Sequence, residues 1–256
     1  MEKREPILMT VTGEVVWLTL SRPPLNFINR HLLQRFETYL EALGENPECR
    51  ALVLEAEGSA FSAGLEPMER TKEAIFLLLE QYHRVIRVLC AFSRPTISLV
   101  RGLAFGAGNE LAACCDFVFA SEKATFGQPE VKGGSLPSVA PLILPPLVGE
   151  RRSLDMILTG NVINAKEAER IGLIHRALPE DQVRAAMDEL IGTFRGFSTP
   201  VLGLAVQSMR AARIRELDSH LREAESLYLN QLMDLEDSAE GLNAFLERRP
   251  PQWKNR

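Results

Sequence analysis

The spacing of apolar residues changes along the chain, and the change divides it. Val15–Leu20 (VVWLTL) is a short β-branched and aromatic run between Gly13 and Pro23-Pro24, the signature of a strand. Ala51–Ala56 (ALVLEA) is almost continuously apolar, as a strand covered on both faces of a parallel sheet must be. Thr96–Val100 (TISLV) and residues 117–120 (FVFA) read as two more strands. Between the first two, Leu32, Leu33, Phe36, Leu40 and Leu43 recur at helical spacing, with Asn29 placed to cap that helix and Gly44 to stop it. Residues 73–92 carry a second helical pattern, which ends before Arg94-Pro95. Residues 58–67 (GSAFSAGLEP) form a turn-rich loop.

Alternating strands and helices imply an α/β fold with a parallel sheet and crossover helices. After Pro146 the pattern becomes helical, over residues 152–159, 166–171, 181–194, 199–213 and 219–235. Val183, Ala186, Met187, Leu190, Ile191 and Phe194 give one of these segments a clean apolar face. Pro179 and Pro200 read as joints, and the helical end reads as an appendage that packs against another subunit. No internal repeat or low-complexity segment interrupts this organisation.

Composition narrows the function. The 256 residues suffice for a substantial core, with 46% apolar and 25% charged side chains. A net charge of −5 argues against a nucleic-acid surface, which carries a basic stripe. The four cysteines, two of them adjacent (Cys114, Cys115), have neither a disulfide framework nor a metal-ligand spacing and read as reduced thiols of a cytoplasmic protein. The opening MEKREPILMT lacks the apolar core of a secretory signal. No apolar run reaches the roughly 18 residues of a membrane span.

Candidate chemistry concentrates in residues 101–137. There a strand runs into Gly106-Ala107-Gly108 and then into an apolar helix carrying one acid, Glu110. A helix opened by small residues leaves backbone N–H groups unpaired, adds partial positive charge, and lets a ligand approach the backbone. Ser62-Ala63-Gly64-Leu65 is a second such turn. One N–H from each would make an oxyanion hole for a thioester carbonyl. A second acid, Glu130, follows Gln128-Pro129, and two carboxylates together orient a water and move its protons. The third glycine of the dinucleotide fingerprint is missing, and no P-loop, H-E-x-x-H or G-x-S-x-G occurs.

These residues resemble the crotonase (enoyl-CoA hydratase/isomerase) superfamily over nearly the whole chain. The likeness is carried by LSRPPLNFIN (20–29), AFSAGLE (60–66), RGLAFGAGNELAACCDFVFASEKATFGQPEV (101–131), LTGNVINAKEAERIGLIHR (158–176) and AFLERRPPQWK (244–254). The resemblance implies an α/β core of spiralling ββα units over residues 1–196 and a helical trimerisation region over 197–256 that completes the coenzyme A site. It implies oxyanion N–H groups at Leu65 and Ala107 and a hydratase acid pair at Glu110 and Glu130. Coenzyme A would lie along Arg22, Leu25, Phe27, Ala63, Leu65, Gly106 and Ala107, with Lys254 reaching a phosphate. It further implies an acyl-CoA thioester substrate, a trimer or pair of trimers, and neither a metal nor a cofactor apart from coenzyme A itself.

One departure bears on specificity. After the second acid the family carries a glycine-rich turn; here the line is SLPSVAP (135–141), which changes the wall of the acyl site around Ser138. With RPPLNFIN and a histidine in the long helix (His83, a candidate for the acyl pocket), this resembles the branch that adds water to a cyclic dienoyl-CoA thioester. A linear enoyl-CoA hydratase, an isomerase using Glu130 alone, and a catalytically dead CoA-binding or RNA-binding member are the alternatives; the acidic balance and the intact acid pair argue against the last. Phe61, Phe105, Phe126 and Met68 are considered for the ring site but fit an apolar core better, and His31, His175 and His220 read as surface or structural.

Overall fold

The computed structural model describes residues 5–44, 46 and 48–256. The strands are β1 (Ile7–Thr12), β2 (Val15–Leu20), β3 (Ala51–Ala56), β4 (Ala60–Ser62), β5 (Thr96–Val100), β6 (Leu103–Phe105), β7 (Phe117–Ser121), β8 (Thr125–Gly127), β9 (Val162–Asn164) and β10 (Arg176–Leu178). The helices are α1 (Arg30–Gly44), α2 (Ile75–Ala91), α3 (Ala107–Cys114), α4 (Ala140–Val148), α5 (Glu150–Thr159), α6 (Ala165–Arg170), α7 (Glu180–Arg195), α8 (Thr199–Asn230) and α9 (Glu236–Glu247). A 3-10 turn spans Pro129–Gly133.

Six strands form one sheet in the order β1-β2-β3-β5-β7-β10, and β4-β6-β8-β9 form a second, smaller one. β1 and β2 make an antiparallel hairpin, and the larger sheet is otherwise parallel. Because side chains alternate along a strand, the inner strands of the large sheet feed two cores. Val16, Leu18, Leu20, Leu52 and Leu54 enter the main core with α1 and α2. Val15, Trp17, Ala51, Val53, Ile97 and Leu99 enter a second core, closed by Val183, Met187, Ile191 and Phe194 of α7. These are four of the six residues of the apolar face read from the sequence; the other two, Ala186 and Leu190, are partly buried against the same core. Each large apolar side chain contributes about 1.5–3 kcal/mol when removed from water.

The strand and helix centres follow the sequence pattern; the departures have local causes. β1 pairs along its full length, yet only Ile7 is buried, so its composition gives no strand signal. Residues 58–67 are not all loop, since β4 lies within them. α4 was not expected because it holds three prolines. Pro141 sits in the first turn, where a missing N–H costs nothing, and Pro145 and Pro146 fall near the other end. The expected helices at 199–213 and 219–235 merge into one continuous α8, because the residues between them contain neither Gly nor Pro. It stops at Asn230, short of the expected 235, where a 3-10 turn over Leu232–Asp234 follows.

α8 crosses back over the body of the chain and is pinned there. Arg210 is buried and pairs with Asp116 (Nε to Oδ1 2.8 Å), while donating to Phe92 O at 2.6 Å and Thr96 Oγ1 at 2.9 Å. Farther along, the Tyr228 hydroxyl hydrogen-bonds Ser135 Oγ at 2.8 Å. The helix therefore lies against the segment that follows Glu130, and this contact roofs the site.

Candidate active site

β6 runs into Gly106, whose N–H donates to Gly127 O at 3.0 Å and whose φ of +53° is strained for any residue with a side chain. A Cβ there would stand 2.5 Å from Glu130 Oε1, so glycine is what lets this carboxylate lie against the turn. Ala107 opens α3, and its N–H, at the helix start, has no intrahelical acceptor. The other turn is held from behind: Ala63 N–H donates to Leu25 O (2.9 Å), Ile28 N–H to Gly64 O (2.9 Å) and Glu66 N–H to Ile28 O (2.8 Å). Leu65 sits between those bonds, and among the described residues neither its N–H nor that of Ala107 has a recorded acceptor. The two turns touch, for a Cβ at Gly64 would lie 3.2 Å from Phe105 O and 3.6 Å from Ala107 N.

Glu110 follows one turn along α3 and is buried. Its Oε1 accepts from Val139 N–H (2.9 Å) and Ala140 N–H (2.7 Å) at the start of α4, and its Oε2 from the Tyr82 hydroxyl (2.7 Å). Burial pushes the carboxyl's pKa up, while these three donors favour the ionised form and pull it back. One lone-pair direction of its roughly four is left for a ligand.

Glu130 stands on the 3-10 turn, half-buried and facing the same space. Burial, then the charge of Glu110, pushes its pKa up to about 8. Gln128, turned with its nitrogen toward Glu130, donates to both carboxylate oxygens at 3.1 Å and accepts from Asn109 Nδ2 at 3.2 Å. Of the two acids, Glu110 is the better provided with donors, so a proton shared between them rests on Glu130.

These groups line one cavity of about 430 Å³. Its wall includes Leu25, Phe27, Ala63, Gly64, Leu65, Phe105, Gly106, Ala107, Glu110, Glu130 and Ser138. The two turns and the two acids singled out in the sequence thus meet in space. The cations Arg70, Lys132 and Arg249 stand in the same wall. Among the described residues, no group of three potential ligands is placed to hold a metal.

Three expected contacts lie elsewhere. Arg22 is turned back on its own loop, donating to Phe27 O and to Glu66 Oε2 (2.9 Å), and does not line the cavity. His83 is fully buried behind the wall, between Glu225 Oε1 (2.6 Å from Nδ1) and Ser138 Oγ (2.9 Å from Nε2). Leu79, one turn earlier on α2, takes the cavity-facing position instead. Lys254 is exposed and pairs with Glu236 at 3.0 Å, outside the cavity. Phe61 and Phe126 are core, Met68 is exposed, and only Phe105 of the four aromatic-site candidates reaches the wall.

Sequence reasoning missed Tyr82, Gln128 and Glu225. Gln128 was legible beside Glu130, whereas Tyr82 and Glu225 carried no local signal because their partners are 28 and 142 residues away. His220, read as surface or structural, holds the same segment through Nε2 to Ser138 O at 3.2 Å.

Known proteins resemble this chain along almost its whole length. Residues 10–256 match the enoyl-CoA hydratase/isomerase family. The chain is 34% identical over 247 residues to a cyclohexa-1,5-dienecarbonyl-CoA hydratase of Thauera aromatica, covering 95% of this chain and 94% of the relative. It is 32% identical to a 2,3-dehydroadipyl-CoA hydratase of Escherichia coli, covering 98% and 99%. Its fold is similar to the crystal structure of an enoyl-CoA hydratase from Mycobacterium avium subsp. paratuberculosis, with a TM-score of 0.88 at 27% identity, covering 98% of this chain and 99% of the other. A two-sheet α/β core, a helical C-terminal region and a match along almost the entire length lead to one assignment: the chain belongs to the enoyl-CoA hydratase/isomerase family and is an enzyme of its hydro-lyase kind.

Proposed function

We propose that this enzyme adds water to a cyclic dienoyl-CoA thioester, cyclohexa-1,5-diene-1-carbonyl-CoA, giving 6-hydroxycyclohex-1-ene-1-carbonyl-CoA. The observation that carries the chemistry is the meeting of two unpaired N–H groups and two unlike carboxyls in one largely apolar cavity. The thioester oxygen sits between Leu65 N–H and Ala107 N–H, at the positive end of α3. Glu110, ionised, accepts a proton from the water as its oxygen bonds to the β carbon. The electron pair moves into a dienolate whose charge the two amides hold; losing one such donor costs about 3–4 kcal/mol of transition-state stabilisation. Glu130 enters protonated and delivers its proton to the remote carbon, and the new double bond stays beside the thioester. The proton balance closes when Glu110 hands its proton back to Glu130 through solvent.

Support for the ring, rather than a linear chain, comes from the Thauera relative and from Ser135-Leu136-Pro137-Ser138 standing in the wall. Coenzyme A runs out past Leu25, Phe27 and Ala63, with Arg70, Lys132 and Arg249 as the cations for its phosphates. Residues 197–256 form the oligomerisation region, where Val201, Leu204 and Met209 leave apolar surface on α8. Assay with the cyclic dienoyl thioester and with crotonyl-CoA tests the reading. Turnover of the cyclic thioester at least tenfold above that of crotonyl-CoA is expected; fast crotonyl turnover with none of the cyclic compound refutes it in favour of a linear-chain hydratase.

A further inference from the structure

Ser138 is a polar residue in an otherwise mostly apolar stretch of cavity wall, and it is tied to two residues that the chemistry above does not use. Its Oγ lies 2.9 Å from His83 Nε2, and His83 Nδ1 lies 2.6 Å from Glu225 Oε1. The three come from different parts of the chain: Ser138 precedes α4, His83 is on α2 and Glu225 on α8. His83 is fully buried, Ser138 is 4% exposed, and the Glu225 side chain retains 28% exposure.

The order of donors along this line fixes which way the hydroxyl points. An ionised carboxylate only accepts, so Glu225 takes the hydrogen of His83 Nδ1. In the neutral ring Nε2 is then an acceptor, and Ser138 must donate its hydroxyl hydrogen to it. Burial, outweighing the neighbouring Glu225, lowers the pKa of His83 and favours this neutral form; Arg87 and His220 act in the same direction, and the Tyr82 ring packs beside the imidazole at 5.9 Å. His220 also holds Ser138 by its carbonyl at 3.2 Å. With its one hydrogen spent on His83, Ser138 Oγ offers the cavity lone pairs only.

A lone-pair donor at that point suits an O–H group and repels a carbonyl. We propose that Ser138 is a further catalytic residue, accepting a hydrogen bond from the attacking water and then from the hydroxyl of the product, with His83 and Glu225 as positioning residues that keep its lone pairs turned inward. A water that gives one hydrogen to Glu110 and the other to Ser138 presents its own lone pair to the β carbon. Glu130, which enters protonated, turns its O–H toward the remote carbon that it protonates, so the second hydrogen of the water is left to Ser138. No bond forms or breaks at Ser138, so the proton balance of the hydration is unchanged.

The inference rests on the hydratase reading, and the test separates the two. Hydration is followed for wild type, Ser138→Ala, Ser138→Thr and Glu225→Gln, with crotonyl-CoA and the cyclic dienoyl thioester each supplied. In parallel, 15N NMR of histidine-labelled protein reads the His83 tautomer. Ser138→Ala is expected to lose about 10²-fold in kcat, with thioester KM within threefold, and Ser138→Thr to recover at least tenfold of that loss. Glu225→Gln, whose amide can donate to Nδ1 as well as accept from it, is expected to populate the Nε2–H tautomer of His83 beside the Nδ1–H one and to lower kcat with unchanged circular dichroism. A wild-type His83 protonated at Nε2, or a Ser138→Ala kcat within threefold of wild type, overturns the inference and leaves the hydratase reading standing. Absence of wild-type turnover on either thioester overturns both.

Discussion

Glu130→Gln is the substitution whose effect on stability follows most directly from the site. The wild-type carboxyl has its pKa pushed from 4.5 to about 8 by burial and by Glu110. In the unfolded chain it ionises near its ordinary value. Between pH 4.5 and about pH 8 the folded protein therefore holds a proton that the unfolded chain has released. Wild-type stability from this group is intact below the lower value and declines as pH rises through the window. The slope is at most about 1.4 kcal/mol per pH unit, giving a ceiling of about 5 kcal/mol across it. Glu130 is only half-buried and faces an open cavity, so solvent screens part of this, and about 1–3 kcal/mol at pH 8 is the working figure. Glutamine keeps the shape and removes the ionisation. Urea unfolding of both proteins at about pH 5, 6.5 and 8, at one protein concentration, should show the variant gaining on wild type as pH rises, while hydratase activity is lost. A difference that is flat with pH, or that shrinks, refutes the reasoning.

Three further predictions concern the frame of the site. Gly106→Ala places a methyl 2.5 Å from Glu130 Oε1 on a backbone with φ of +53°, so kcat/KM should fall at least 100-fold, about 2.7 kcal/mol; activity within threefold of wild type contradicts this. Tyr82→Phe removes the 2.7 Å hydrogen bond to Glu110 Oε2, so the Glu110 pKa rises and the acid limb of the kcat/KM profile moves up by about one pH unit; an unmoved limb counts against Glu110 as the base. Arg210→Met strips a buried guanidinium from Asp116 and from the carbonyl of Phe92, and thermal or urea unfolding should report a loss of about 3–5 kcal/mol. A loss below 1 kcal/mol would mean that this pair does not hold α8 in place.

How much of this was legible in the sequence depends on the range over which each residue acts. β2, β3 and β5 have the limits read from their apolar runs, because a strand in a covered sheet must be apolar wherever it is paired. The three-residue strands β4, β6, β8 and β9 are too short to show a period, so the second sheet was invisible. Asn29 caps α1 as its type predicts, with Oδ1 accepting from Leu32 N–H at 2.9 Å. The acids were legible as residue types, but their convergence depends on Gly106, which lets Glu130 approach. His83 illustrates the limit: its place in a long helix was plain, but which side of α2 faces the cavity is set by Glu225 on α8, far along the chain.

The measurement that bears most directly on the central claim is a crystal structure of the protein with the unsaturated thioester or its hydrated product bound. The account predicts the thioester oxygen 2.7–3.1 Å from both Leu65 N and Ala107 N, with the reacting carbons between Glu110 and Glu130. A thioester oxygen bound away from either amide, or an acyl group lying outside the space between the two carboxyls, would contradict it.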